Sequence, residues 1–337
     1  MQRSMALSKL QWVLEGMAPG SLFEGFEPRA GVLHRFFGLD NSLQKYEHRL
    51  QRVIALARSY DVPAILSTLV SNIAEFDPED GTIYEVPGVA ERFSGAKDLA
   101  RAGRHEEALE ALRGILNTSI PDPAHIYYQM GNCCRALGRY DEAREYFWRA
   151  VDGGDLRRAN RWQNEVIRRL AGECGTGLSD AAALFEARAS HGLPGYDLFA
   201  DAHHPNLEGY ILLARGFARE LEKATGERMT RPDVTPEEVE RQFGFGAEDR
   251  YGAYISEAAW FIGHATLVRD REERLRAAER CLRKAEGIRP EAPEPCFFHF
   301  LVAVLRDDRE GAMRWLEKGD LLGTNRRLFE EDRKSVV

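Results

Sequence analysis

Apolar residues recur at helical spacing along most of the chain. In Asn41–Tyr60, Leu43, Tyr46, Leu50, Val53, Ile54 and Ala57 fall on one stripe, which predicts an amphipathic helix. After Asp61-Val62-Pro63 the pattern changes. Ala64–Val70 (AILSTLV) is short and mostly apolar, as expected of a buried parallel strand. Trp162–Cys174 returns to helical spacing through Val166, Ile167 and Leu170, Gly177–Asp180 has room for a very short strand, and Ala181–Arg188 is helical again. Pro205–Lys223 reads as a helix, with Pro205 early, Glu208 in the first turn and Lys223 in the last.

A longer period overlies this pattern. Residues 96–118 (AKDLARAGRHEEALEALRGILNT) and 130–152 (MGNCCRALGRYDEAREYFWRAVD) share a Gly-Arg and a Glu-Ala pair. Gly103-Arg104 with Glu107-Ala108 recurs as Gly138-Arg139 with Glu142-Ala143, a period of 35 residues. Each Gly sits where two helices turn and positive φ is needed. Each Ala lets the second helix press against the first, and Tyr127, Gly131, Phe147 and Ala150 take the large and small packing positions. The segment resembles two tetratricopeptide repeats. Residues 93–152 are therefore expected to form two stacked helical hairpins, with Phe93, Leu99, Leu112, Tyr127, Phe147 and Trp148 buried between helices. A weaker echo follows, in which Ala278, Leu282 and Ala285 recur as Ala312, Leu316 and Gly319, with Pro290 between. Residues 253–320 read either as a degenerate repeat-like pair or as a generic helical bundle.

Composition narrows the classes. With 44% hydrophobic and 30% charged residues among 337, the chain has material for real cores and is not disordered. The net charge of -8, with scattered arginines, argues against nucleic-acid binding, which needs a basic stripe. Phe297–Leu305 is the longest apolar run and is far too short for a membrane span. No signal peptide is readable, and Cys133, Cys134, Cys174, Cys281 and Cys296 form no CxxC pair, so a reduced, cytoplasmic setting is expected.

The sharpest chemical string is Leu198–Tyr210, LFADAHHPNLEGY. Asp201 and His204 stand three apart just before a helix. That spacing lets a carboxylate hold one imidazole nitrogen while the other faces a nucleophile. Phe199 precedes the pair, and Pro205, Asn206 and Gly209 follow it. The block resembles the last conserved block of the SGNH/GDSL hydrolases. AILSTLVSNIAEFDP at 64–78 resembles the strand and loop that precede the insertion in repeat-bearing members. Arg157 through Gly209, including NEVIRRLA and ALFEARASHGLPG, resembles their closing half, so the likeness covers 40–225.

The resemblance implies an α/β chain, an incomplete SGNH-type (flavodoxin-like) three-layer domain interrupted by a pair of tetratricopeptide hairpins. The expected parts are a mostly helical 1–40, a split α/β domain at 41–90 and 155–225, inserted repeats at 93–154, and a helical repeat-like region at 226–337. It also implies acyl transfer on an ester through an acyl-Ser intermediate, without metal or cofactor, with His204 as base and Asp201 orienting it. Here the likeness breaks. The family's G-x-S nucleophile block and its oxyanion Gly and Asn are not found before residue 64. The only Gly-Ser pair, Gly20-Ser21, follows Leu10–Gly16, which reads as helix, so Ser21 is a poor nucleophile. Asn72, after the strand, is either a substrate-loop residue or a turn-forming Asn.

Other candidates carry less. His203 beside His204 lacks a second ligand cluster for a metal. His191, in SHGLPG, is either an exposed loop residue or one that borders the site, Arg269–Arg276 is a solvated helix face, and Gly244–Gly252 lacks phosphate-loop spacing. Cys133 and Cys134 sit where small apolar side chains pack. Two functional readings follow. One is the C-terminal part of an SGNH-type esterase with repeats for protein interaction. The other is a non-catalytic repeat scaffold with a relic hydrolase half, offering a groove to a peptide or protein. The open edge of Ala64–Val70 is expected to promote self-association.

Overall fold

The structure, a computed structural model, describes residues 39–78, 83, 86–118, 120–153, 158–228, 234–268 and 271–321. Ser21 and nearly all of the 1–40 segment lie outside these residues. The described residues fall into two units, 39–236 and 237–321.

The first unit opens with α1 (Leu39–Ser59) and the strand β1 (Ile65–Ser67). Four helices follow: α2 (Val89–Arg101), α3 (His105–Leu116), α4 (Ala124–Ala136) and α5 (Tyr140–Asp152). Then come α6 (Arg161–Cys174), β2 (Gly177–Ser179), α7 (Ala181–Arg188), a 3-10 turn at Ser190–Gly192 and α8 (Leu207–Thr225).

The repeat helices pack as antiparallel hairpins. Gly103 and Gly138 take φ of 77° and 74° between the helices of each pair. The same three backbone bonds close both turns: Ala102, Gly103 and Arg104 donate to Asp98, Ala100 and Leu99, as Leu137, Gly138 and Arg139 donate to Cys133, Arg135 and Cys134. Phe93, Leu112, Phe147 and Trp148 are buried in one core, with Leu99 and Tyr127 half-buried against it. Arg139, directly before α5, ties the hairpins together, bonding Glu142 on α5 and Glu106 on α3.

The expected three-layer α/β domain is not what this chain forms. The described residues carry one sheet, two parallel strands of three residues each, with Ile65 opposite Gly177 and Ser67 opposite Ser179. Side chains end both strands early. Asn164 on α6 takes both backbone groups of Leu69, its Oδ1 accepting the N–H at 2.7 Å and its Nδ2 donating to the carbonyl at 2.9 Å. Asp180 caps α7 directly after β2, accepting from Ala183 N–H and from the Thr68 hydroxyl at 2.9 Å. A sheet this narrow cannot be the middle layer of a sandwich. The chain is a mostly helical, repeat-like protein. The α1 stripe also differs from expectation: Ile54 is buried and Leu43, Tyr46, Leu50 and Ala57 half-buried, but Val53 is 62% exposed.

The second unit contains α9 (Pro236–Phe243), α10 (Ala247–Ala265), α11 (Glu272–Ile288), α12 (Glu294–Leu305) and α13 (Arg309–Leu321). Ala278, Leu282, Ala285 and Ala312 are buried. The α12–α13 turn repeats the bond pattern of the other hairpins, with Arg306, Asp307 and Asp308 donating to Val302, Val304 and Ala303. Asp307 takes the left-handed position at φ 58°, where the other turns have Gly. Buried His299 stacks on Trp315 with ring centroids 4.1 Å apart, and burial holds its imidazole below the ordinary His range despite nearby Glu286.

These packings make opposite predictions at two positions. A Cβ on Gly131 would lie 2.6 Å from the Phe147 ring. Gly131→Ala should therefore destabilise the first unit by about 1–3 kcal/mol. Asp307→Gly relieves a left-handed backbone and should stabilise the second unit by up to about 1 kcal/mol. Denaturant unfolding of the full chain, followed by hydrogen exchange in each unit, reads both. A neutral Gly131→Ala would contradict the packing described.

Candidate functional site

The Asp201–His204 loop is held from both ends. Phe199 bridges to Pro205 as a single antiparallel pair, Ala200 N–H donates to His204 C=O at 2.9 Å, and Asn206 N–H donates to Leu198 C=O at 2.9 Å. The Asn206 side chain then caps α8, accepting from Gly209 N–H at 3.1 Å, while its amide donates to Asp197 C=O. Gly209 has no alternative, since a Cβ there would lie 2.4 Å from the Leu198 carbonyl oxygen. The residues that frame Asp201 and His204 in sequence are thus the ones that close their loop.

Within it, Asp201 is fully used. Its Oδ1 accepts the backbone N–H groups of His203 and His204 at 2.9 and 2.8 Å, and its Oδ2 meets His204 Nδ1 at 2.7 Å. Burial opposes the charge of Asp201, but the two backbone donors and the His204 ring outweigh it and hold the carboxyl below the ordinary Asp range. A carboxylate accepts only, so the His204 proton sits on Nδ1 and Nε2 is left as a base. The ring is largely exposed. Among the described residues no hydroxyl or thiol bonds it.

Asn72 is brought to the same loop. It is fully buried, its Nδ2 donates to Asp201 C=O at 3.1 Å, its Oδ1 accepts Glu75 N–H at 3.0 Å, and its own N–H donates to Ala202 C=O. The side chain presents nothing to solvent and positions the loop. His203 packs its ring against that of His204, with centroids 4.0 Å apart, and lines a cleft of about 480 Å³ with Thr68, Leu69, Arg158, Gln163 and Phe217. His191, at φ 55°, stacks on Tyr140 of α5 with centroids 3.7 Å apart.

Ligand atoms of Asp201, His203 and His204 lie within 4.8 Å of one another, close enough to consider a cation. The hydrogen bonding argues otherwise. Both Asp201 oxygens are committed, and a metal between Asp201 and His204 would have to break the 2.7 Å contact. The arrangement fits a carboxylate–imidazole pair better than a ligand set. The thiols are not poised for chemistry either. Burial, reinforced by Cys134, pushes Cys133 up to about 11, and burial with Glu257 pushes Cys281 up to about 12, so both stay protonated near neutrality.

A second face bears on function, and the sequence reading passed over it. His125, Tyr128, Asn132 and Arg135 form one stripe along α4, at spacings of three, four and three. That spacing was visible in the sequence; its occupant was not. Tyr128 Oη and Arg135 Nη1 both donate to Ala74 C=O at 3.4 Å, and Arg135 also meets Glu75 at 3.8 Å. Ile73 and Ala74 join the core of the repeats. The chain's own residues 73–75 therefore occupy this face.

The family model for the tetratricopeptide repeat matches residues 124–152, the α4–α5 hairpin. No curated protein and no solved structure matches the chain. The repeat is a protein-interaction motif, and no described helix is long and apolar enough to cross a membrane.

The Asp201 contact predicts a tautomer. In the intact chain, long-range 1H–15N spectra near neutral pH should show neutral His204 protonated on Nδ1. Asp201→Ala should shift the population to Nε2–H. A native His204 already protonated on Nε2 would contradict the pairing.

Proposed function

We propose that this chain is a non-catalytic protein-interaction protein built on tetratricopeptide-type hairpins. The observation that carries the reading is the recurrence of one hairpin turn, with the same backbone bonds, at α2–α3, α4–α5 and α12–α13. Such hairpins bury their apolar faces by stacking and leave extended side-chain surfaces for partners. Because residues 73–75 lie on the inner stripe of α4, a partner engages other surfaces of the repeats or displaces that segment.

A second reading rests on the 2.7 Å Asp201–His204 contact and the outward Nε2. In it these two residues are the orienting acid and general base of a serine-type ester hydrolase, and the serine comes from another segment or chain. The base alone has nothing to activate, and a missing oxyanion donor costs about 100-fold or more in rate.

One comparison separates the two. The full chain, His204→Ala and Gly131→Trp are each used to capture partners from a cell extract and assayed for p-nitrophenyl ester turnover. The interaction reading expects background turnover throughout, and a partner set kept by His204→Ala but lost when Gly131→Trp disrupts the repeats. Ester turnover abolished by His204→Ala, or partners indifferent to the repeats, would overturn it.

A further inference from the structure

We propose that the outer face of α1 is a docking surface for an acidic amphipathic helix of a partner protein. The inner face of α1 is satisfied. Ile54 is buried, Glu47 pairs with Arg169 of α6 at 2.7 Å, and Arg58 donates to Cys174 C=O at 2.6 Å. At 100° per residue, Lys45, Arg49, Arg52, Val53, Leu56 and Tyr60 fall on the opposite side. Val53, Leu56 and Tyr60 are 62%, 60% and 75% exposed. No carboxylate lies on this stripe, and among the described residues Lys45, Arg49 and Arg52 form no ion pair.

On the repeats, Arg104, Arg139, Arg144 and Arg149 each have a carboxylate partner. Unpaired cations alone do not set this stripe apart, since Arg92 and Arg113 on the repeats also form no ion pair among the described residues; the exposed apolar side chains beside the cations do. Among the described residues between 71 and 153, no large apolar side chain is exposed. Three unpaired cations beside three exposed apolar side chains, in a chain of net charge -8, form a local patch of opposite character.

The patch specifies its occupant by charge and length. A partner needs carboxylates opposite Arg49 and Arg52 and apolar residues opposite Val53 and Leu56, the pattern of a helix laid along a helix. From Lys45 to Tyr60 the stripe runs roughly 22 Å at the helical rise, about four turns of a partner helix. A second copy of this face would set the same cations against each other, which is repulsive. An anionic membrane would meet the whole molecule, whose net negative charge opposes it, whereas a single helix responds to charges within a Debye length of about 8 Å. The proposal uses no residue of α2–α5, so its failure leaves the repeat reading intact.

The test selects binders to the full chain from a library of randomised helical peptides of about sixteen residues. The expected winners carry Asp or Glu at i, i+4 spacing beside an apolar stripe, and lose roughly tenfold or more in affinity for R49E/R52E. Leu56→Ala should weaken them as well, while leaving the unfolding transition in place because the side chain is exposed. No enrichment, winners without the acidic pattern, or equal affinity for R49E/R52E would overturn the proposal. So would flotation with phosphatidylserine vesicles that R49E/R52E abolishes while no peptide is enriched, or a concentration-dependent dimer that the same variant dissociates.

Discussion

Residues 72–76 are the joint on which the first unit depends. They form no helix or strand, yet they are nearly all buried, so each of their backbone groups needs a partner from elsewhere. Asn72 N–H goes to Ala202, and Ile73 and Ala74 N–H both go to Pro194 C=O. The Ala74 carbonyl takes Tyr128 and Arg135 from α4, and Arg158 donates one guanidinium nitrogen to both Asn72 C=O and Phe76 C=O. Glu75 accepts Tyr196 N–H at 2.7 Å. One short segment therefore satisfies the repeats on one side and the Asp201–His204 loop on the other.

This joint explains why the repeats are not a separate appendage. Their inner stripe is filled by the chain itself, and α5 is tied to the other flank through Trp148–Glu186, Arg161–Asp152 and the Tyr140–His191 stack. The Asp201–His204 pair inherits its rigidity from the same contacts, because Asn72 holds the peptide groups of Asp201 and Ala202. Surfaces that remain open lie away from the joint, where α1 presents its unpaired cations.

The sequence revealed what local rules govern. Helix positions, the hairpin turns at Gly103 and Gly138 and the short strands near 65 and 177 follow from periodicity and glycine placement. The tight loop around Asp201 was visible because its capping Asn206 and close-packed Gly209 are adjacent in the chain. The α/β reading failed because the apolar run Ala64–Val70 cannot show that Asn164, far away in sequence, takes over the backbone of Leu69 and stops the strand. The α12–α13 turn was faint because Asp307 stands where glycine would have marked it. Val53 was assigned to the wrong face because an apolar residue on a helix boundary satisfies two stripes.

Amide hydrogen exchange in Tyr128→Phe/Arg135→Ala tests the joint most directly. The account predicts that this change on α4 accelerates exchange at Asn72, Ile73 and Ala74, and also at His203 and His204, whose amides depend on the loop that Asn72 holds. Faster exchange confined to 124–152, with those five amides unchanged, would contradict it.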